Sequence, residues 1–368
     1  MLTTTAGTTP ADVRATSRAA DLPRAGWDAL AGPSDIFLTC RWLDVVEATA
    51  GVPMTYLWTE RDGRPVAGLA TALAGDTVPW ALGRPDVVLR NSVTAGLPGA
   101  AELLAGLGDD PTGRLMPTLL AGGRQVGGTR LLTGPEATAA DVTSLVAAAE
   151  ALARDSGAAT VCFLYLDERE ESLVRLLAER GYRAFTSGHY SSLRVPPDGY
   201  PGYLAALPRK RRVSIGAERR RIVQAGVTVA AESLDAADLD RFAELESQLL
   251  AKYEIDLRPG QLLPLLHQVR DCFGDDAFAM VARAEGEVRG FALILRHGDS
   301  WYARQTGYDY AYQQRSGAPL YFELLYYRLI EEAAMSGVRT VHYGLGSVDT
   351  KRSRGCTATE QRGHLLFL

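Results

Sequence analysis

The sequence predicts an α+β fold in two similar halves, each a mixed, mainly antiparallel sheet flanked by helices. Two internal echoes carry this reading. YLWTERDGRPVAGLATAL (Tyr56–Leu73) can be laid on FAMVARAEGEVRGFALIL (Phe278–Leu295) without gaps. SGAATVCFLYLD (Ser156–Asp167) returns as SGVRTVHYGLGS from Ser336 onward. The chain is 368 residues long, 46% apolar and 23% charged, which suits two globular domains of ordinary size.

Each half reads as strand, strand, strand, helix, strand. The first two strands flank a turn containing Gly63 or Gly286. The helices fall at Ala139–Ser156 and Leu320–Ser336. Each stops before a glycine, Gly157 or Gly337, where a left-handed residue costs little. Buried strands follow at Ala159–Leu166 and Thr340–Leu345. The first half continues with a helix, Glu168–Arg180, and a strand near Ser191–Val195. The two echoes differ in offset, so the Gly- and Pro-rich stretch Ala74–Glu136 must carry extra residues. A charged helical segment, Tyr203–Gln224, joins the halves, and an amphipathic helix lies within Leu234–Ile255. The expected domains are a flexible lead-in at 1–20, a first domain at 21–198 and a second at 199–368. The matched order of elements marks a tandem repeat.

The net charge of −5 gives no global basic field, so any nucleic acid must be held by a local patch. No apolar run is long enough to span a membrane, and the N-terminus lacks an apolar signal core. Cys40, Cys162, Cys272 and Cys356 are far apart and the histidines do not cluster. No metal site is expected, and a reducing cytoplasm fits. Lysine occurs only at 210, 252 and 351 in an arginine-rich chain, which makes each occurrence informative.

The most specific stretch is the C-terminus. Its helix carries Phe322-Glu323, Tyr326-Tyr327 and Ile330-Glu331. Its loop carries Gly344, Gly346, Lys351 and Arg354-Gly355, and its last strand carries Thr359 and His364. This pattern resembles a GNAT-like family labelled peptidoglycan biosynthesis/recognition, with Tyr321 in place of that family's histidine. The broader layout resembles the Fem-type (FemABX-like) aminoacyltransferases, which carry two GNAT folds in tandem. IFLTCRWLDVV (Ile36–Val46) and the basic helix LPRKRRVSIGAERRRIVQAGV match their opening and their interdomain helix in outline.

The resemblance implies a cleft where two neighbouring strands part, here Trp301–Tyr308 and Thr340–Leu345. Acyl transfer there needs a nucleophile, donors for the developing oxyanion and a proton for the leaving group. Arg304 and Tyr308 on the first strand and Glu323 on the helix are candidate substrate contacts. Gly344 and Gly346 let backbone approach a substrate. Lys351 can neutralise an oxyanion or phosphate as a point charge, and Arg352 and Arg354 can clamp phosphates. Asp349 and His342 are candidate bases, and Tyr343 or Tyr308 a candidate proton donor. Strand alternation puts His342 and Tyr343 on opposite faces, so one of them is core. Cys356 reads as a small buried residue.

Gln314-Arg315-Ser316-Gly317 partly matches the loop by which CoA-dependent relatives grip a pyrophosphate, but Pro319 removes one amide. The run Arg209, Lys210, Arg211, Arg212, continued by Arg219–Arg221, is a local cationic patch for tRNA or phosphates. In the first half TVCFLYLD runs on apolar where the second half has glycines. That half is expected to be catalytically silent and to help form the acceptor site, with Arg41, Trp42, Tyr165 and Asp167 as candidates.

Three functions follow. The chain passes an aminoacyl group from aminoacyl-tRNA to an amine of a peptidoglycan precursor or small metabolite. Or it uses acyl-CoA, held at Gln314–Gly317. Or it is a non-catalytic binding protein, which a collapsed cleft would mark. No tightly bound cofactor is implied.

Overall fold

The computed structural model describes residues 11–78, 80–123, 128–167 and 169–368. Its contacts divide the chain into one unit of Met1–Gly188 with Glu360–Leu368 and another of His189–Thr359. The division falls at 188/189 rather than 198/199, and the last strand returns to the first unit. The expected lead-in is also partly ordered. Residues 1–10 lie outside the described residues, but Val13–Thr16 forms strand β1, with Val13 opposite Thr59 and Thr16 opposite Tyr56.

In the first unit β1 is followed by β2 (Met54–Arg61), β3 (Arg64–Ala74), β4 (Thr118–Ala121), β5 (Leu132–Thr133) and β6 (Thr160–Asp167). β7 (Arg183–Arg194) then crosses the division. The sheet order is β1-β2-β3-β4-β6-β13, with β5 beside β3. Here β13 is the final strand, Thr357–Phe367, and it runs antiparallel to β6. The β2–β3 turn is Asp62-Gly63 with φ of 49° and 73°. Two successive positive φ values make the two-residue turn whose twist matches antiparallel strands. The residues between hairpin and helix form three short helices, Pro85–Thr94, Ala100–Ala105 and Pro111–Leu115. The following helix, Ala139–Asp155, is opened by a capping box of Thr138 and Asp141.

The second unit repeats this plan. It contains β8 (Thr228–Ser233), β9 (Ala277–Ala284), β10 (Glu287–His297), β11 (Ser300–Tyr308) and β12 (Thr340–Gly344). β12 is flanked by the end of β7, and the order is β7-β12-β11-β10-β9-β8. The β9–β10 turn, Glu285-Gly286, has φ of 57° and 78°, the same turn as in the first unit. The joining segment is two helices, Gly199–Ala206 and Arg209–Gln224, separated at Leu207-Pro208. The C-terminal helix is not continuous either. A π turn, Glu323–Tyr327, interrupts it between Leu320–Phe322 and Arg328–Met335. Such insertions re-aim side chains and recur at functional sites.

The amphipathic helix Leu239–Ala251 lies directly on β11. Gly307 permits this: a Cβ there would stand 2.4 Å from Leu245 C and 2.5 Å from Glu246 N. We predict that Gly307→Val costs about 1–3 kcal/mol in unfolding free energy, because neither backbone can yield. Gly216→Ala, in the basic helix with only the tip of Arg220 within reach at 3.5 Å, should stabilise by about 0.5–1 kcal/mol. Denaturant midpoints of the two variants check both signs.

Candidate active site

β11 and β12 run parallel and pair over three residues only: Ser300 with Thr340, Trp301 with Val341, and Tyr302 with His342. β11 is then deflected by a bulge. Leu293 faces Gln305 and Ile294 faces Ala303, so Arg304 is the extra residue. A bulge re-aims its side chain. β12 turns away through Gly344 (φ 65°), Gly346 (φ 76°) and Ser347 (φ 47°). A cavity of about 460 Å³ opens beyond the parting. This is the splayed pair of strands expected from the sequence.

The other unit makes the same start and closes it. β4 and β6 pair in parallel at Thr118–Thr160, Leu119–Val161 and Leu120–Cys162. Thr129 then fills the gap: its N–H donates to Tyr165 O at 3.2 Å and its Oγ1 accepts from Tyr165 N–H at 3.2 Å. About 10 Å³ remains, room for one water at most. The first-half candidates sit in this packed unit. Trp42 is 2% exposed, edge-on to Phe37 at 5.0 Å. Tyr165 is equally buried and its hydroxyl donates to Leu82 O at 2.8 Å. Asp167 pairs with Arg169 at 2.7 Å. Trp42 and Tyr165 are core, which corrects their assignment to an acceptor site. Trp42 is packed on Phe37, and the Tyr165 hydroxyl is taken up by a backbone carbonyl.

In the second unit the cavity takes Arg304, Gln305, Thr306 and Tyr308 from β11 and Tyr343 from β12. Tyr310, Tyr321 and Phe322 give it an aromatic wall. Tyr343 is 7% exposed and stacks on Tyr326 at 4.8 Å. Burial pushes its phenol well above the ordinary value, so it holds its proton, and its hydroxyl has no partner among the described residues. His342 faces the other way. It stacks flat on Tyr302 at 4.4 Å, and burial pushes its imidazole down to about 4. It is a neutral member of an aromatic stack and does not line the cavity, which corrects its place among the bases.

Lys351 is buried and points back at its own strand end. Its Nζ donates to Tyr343 O at 2.8 Å, Gly344 O at 3.0 Å and Leu345 O at 2.6 Å. Burial pushes the amine down to about 8, yet only the ammonium has three N–H groups for three carbonyls, so it is charged at neutral pH. No N–H is left for a substrate oxyanion. Lys351 holds the loop and also lines the cavity, so what it offers a substrate there is its charge and not a free N–H. Asp349 is fully exposed and Arg352 half-exposed, 3.9 Å apart, and neither reaches the cavity. Arg354 is buried under Phe322, 3.7 Å from the ring, with Glu218 at 3.2 Å. Glu323 pairs with Arg219 at 3.2 Å, away from the cavity. The phosphate role of Arg354 and the substrate role of Glu323 are thus replaced by ion pairs that fasten the basic helix. Cys356 is buried, and burial pushes its thiol up to about 12.

Gln314–Gly317 ends a helix, Tyr310–Ser316, instead of opening one. The Gly317 N–H donates to Gln313 O at 2.9 Å and the Ala318 N–H to Ser316 Oγ at 3.2 Å. Pro319 has none. Arg315 pairs with Glu285 at 3.4 Å. The amides that would grip a pyrophosphate are consumed, so the sequence match does not make that loop. In the basic helix Arg209, Lys210, Arg212, Arg220 and Arg221 are exposed and Arg211 half-buried. Arg212 also donates to Leu207 O at 2.6 Å.

The sequence pattern gives no place to Glu246. It is 8% exposed on the helix that rests on Gly307, and its Oε2 accepts from Gln305 Nε2 at 2.7 Å. Burial pushes its carboxyl up to about 7, against the Gln305 bond and the charge of Arg304. Two signals were present: a glycine inside a strand, which marks close backbone approach, and Lys252, one of three lysines, which lines the cavity over Tyr310 at 5.2 Å.

Two outcomes follow. Lys351→Met leaves the strand-end carbonyls without their donor and should cost about 1–3 kcal/mol of stability, read by denaturation. Glu246 binds its proton more tightly folded than unfolded. Its stabilising contribution is complete below the ordinary carboxyl range and is lost as pH rises through about 7. Relative to Glu246→Gln, the native chain should lose about 2–3 kcal/mol between about pH 5 and about pH 8.

Comparison with known proteins agrees with this architecture. The structure is similar to that of FemX, at 11% identity over 96% of this chain and 97% of that one, with a TM-score of 0.62. It is similar to a conserved protein of unknown function from Bacteroides thetaiotaomicron, at 10% identity, 95% and 98% coverage and a TM-score of 0.57. A tandem GNAT protein from the clavulanic acid biosynthesis pathway gives 14% identity, 97% and 98% coverage and a TM-score of 0.53. These likenesses show the fold, two GNAT domains in tandem. No curated protein matches the sequence. The FemAB-like family, described as peptidoglycan biosynthesis/recognition, matches residues 124–367, more than half of the sequence, and the chain belongs to that family.

Proposed function

We propose that the chain is a cytoplasmic acyltransferase that forms an amide bond, passing an aminoacyl group from aminoacyl-tRNA to an amine of a peptidoglycan precursor or small metabolite. The observation that carries the reading is the open cleft between β11 and β12, walled by Arg304, Tyr308 and Tyr343, beside a loop whose amides are already bonded. The open cleft argues against a collapsed, purely structural domain. The consumed amides argue for a donor other than acyl-CoA.

In this reading the amine attacks the ester carbonyl directly, with no covalent enzyme intermediate. The C–N bond forms as the C–O bond to the ribose breaks. Tyr343 keeps its proton at neutral pH because ionising it in a buried site is unfavourable, which suits a donor to the departing ribose oxygen. The amine's proton leaves through water, since Asp349 lies outside the cavity. The exposed cations of the basic helix, Arg209, Lys210 and Arg212 with Arg220 and Arg221, meet tRNA phosphates. The first unit, with its gap filled, is silent in the transfer.

Direct binding of charged tRNA and of acetyl-CoA to the purified chain tests this. Charged tRNA should bind with an affinity that falls as salt rises. Replacing Arg209, Lys210, Arg211 and Arg212 by Gln should flatten the log–log salt slope by up to about 0.9 for each phosphate no longer neutralised. Tyr343→Phe should lower turnover about 10²-fold with tRNA binding unchanged. Saturable acetyl-CoA binding without tRNA binding would overturn the donor assignment.

A further inference from the structure

One polar arrangement in the cavity wall has no part in the transfer step above. Gln305 follows the bulged Arg304, is 5% exposed and lines the cavity. Its Nε2 donates to Glu246 Oε2 at 2.7 Å. Once ionised, above about pH 7, Glu246 only accepts, so there this bond settles which end of the amide faces it. Oε1 is the end left over. It is closed to solvent and has no partner among the described residues. The neighbouring hydroxyls do not relieve it: Thr306 Oγ1 donates to Phe291 O at 2.8 Å and is bonded to the Tyr308 hydroxyl. A buried acceptor without a donor is costly, and one kept in a cavity wall calls for an explanation.

The surrounding charges narrow the ligand. Arg304 and Glu246 carry opposite charges, and each counters the burial of the other. The two charges offset each other, so the site holds no net negative charge to offset the burial of an ammonium, whereas an uncharged amine needs none. Glu246 itself is held in place because the backbone of Leu245 and Glu246 rests on Gly307.

We infer that Gln305 is the amine-recognising residue of this cavity, its Oε1 accepting an N–H from an uncharged primary amine and Glu246 positioning it. The inference rests on reading the cavity as the transfer site. An amine could come from the aminoacyl group or from the attacking acceptor, and the chemistry of recognition is the same for both.

The probe is phenylalanine methyl ester, in buffer alkaline enough to keep its amine uncharged, against methyl 3-phenylpropionate, which lacks the amine. Calorimetry on the full chain should show the amine ester binding about 10-fold more tightly. Gln305→Met should abolish the difference. Glu246→Gln, which no longer pins the amide, should reduce it several-fold and serves as the second variant if Gln305→Met folds poorly. Equal binding of the two esters, a difference that survives both variants, or no binding of either overturns the inference. Displacement of the amine ester by charged tRNA identifies the donor's amine, and undiminished binding identifies the acceptor's; both uphold the assignment. Failure to transfer from aminoacyl-tRNA, with the Gln305-dependent difference intact, overturns the transfer reading alone.

Discussion

Where two parallel strands stop pairing, their edges carry backbone groups that need new partners, and the second unit depends on how this is met. At the end of β12 the answer is Lys351. Its ammonium collects the three successive carbonyls of Tyr343, Gly344 and Leu345 and holds them in a tight hook. On β11 the Arg304 bulge, in the pairing with β10, bends the strand where it leaves β12. Lys351 takes up strand-end carbonyls, and the bulge redirects β11. The cavity is what remains between two strands held apart from opposite sides.

The first unit shows what the same start yields without these devices. β4 and β6 share the three-residue parallel pairing, but TVCFLYLD has no glycine hook, and Thr129 bonds to Tyr165 from both its N–H and its Oγ1. Apolar side chains fill the remainder. A tandem repeat thus keeps one copy packed and the other open. The difference rests on a few residues after the pairing ends, since the pairing itself is the same in both.

Charge follows a similar logic. Several cations that invite a role in phosphate binding are consumed by the fold. Arg219 binds Glu323 and Glu331, and Arg354 binds Glu218 beneath the ring of Phe322. These pairs fasten the basic helix and leave Arg209, Lys210, Arg212, Arg220 and Arg221 exposed. The π turn at Glu323–Tyr327 gives one helix two tasks: Tyr326 stacks under Tyr343, while Tyr327 bonds to Glu218.

The repeat, the hairpins, the helix stops and the parting strands were legible because each is a local property. Gly63 and Gly286 mark turns that need positive φ, and apolar runs bounded by glycine mark buried strands. Tyr343, Tyr308 and Arg304 line the cavity because they lie on the two strands that the family resemblance singled out. The roles of Lys351, Arg354, Glu323 and His342 were not legible. A lysine near a strand end reads the same whether its ammonium faces outward or turns back, and only the packed chain brings the three carbonyls to it. Glu246 was hidden for the same reason. It lies some 60 positions from Gln305, and only the seating of its helix on Gly307 joins them. Local pattern determined which elements form. Burial and the competition for hydrogen-bond partners, which exist only in the folded chain, decided which polar side chains were left to meet a ligand.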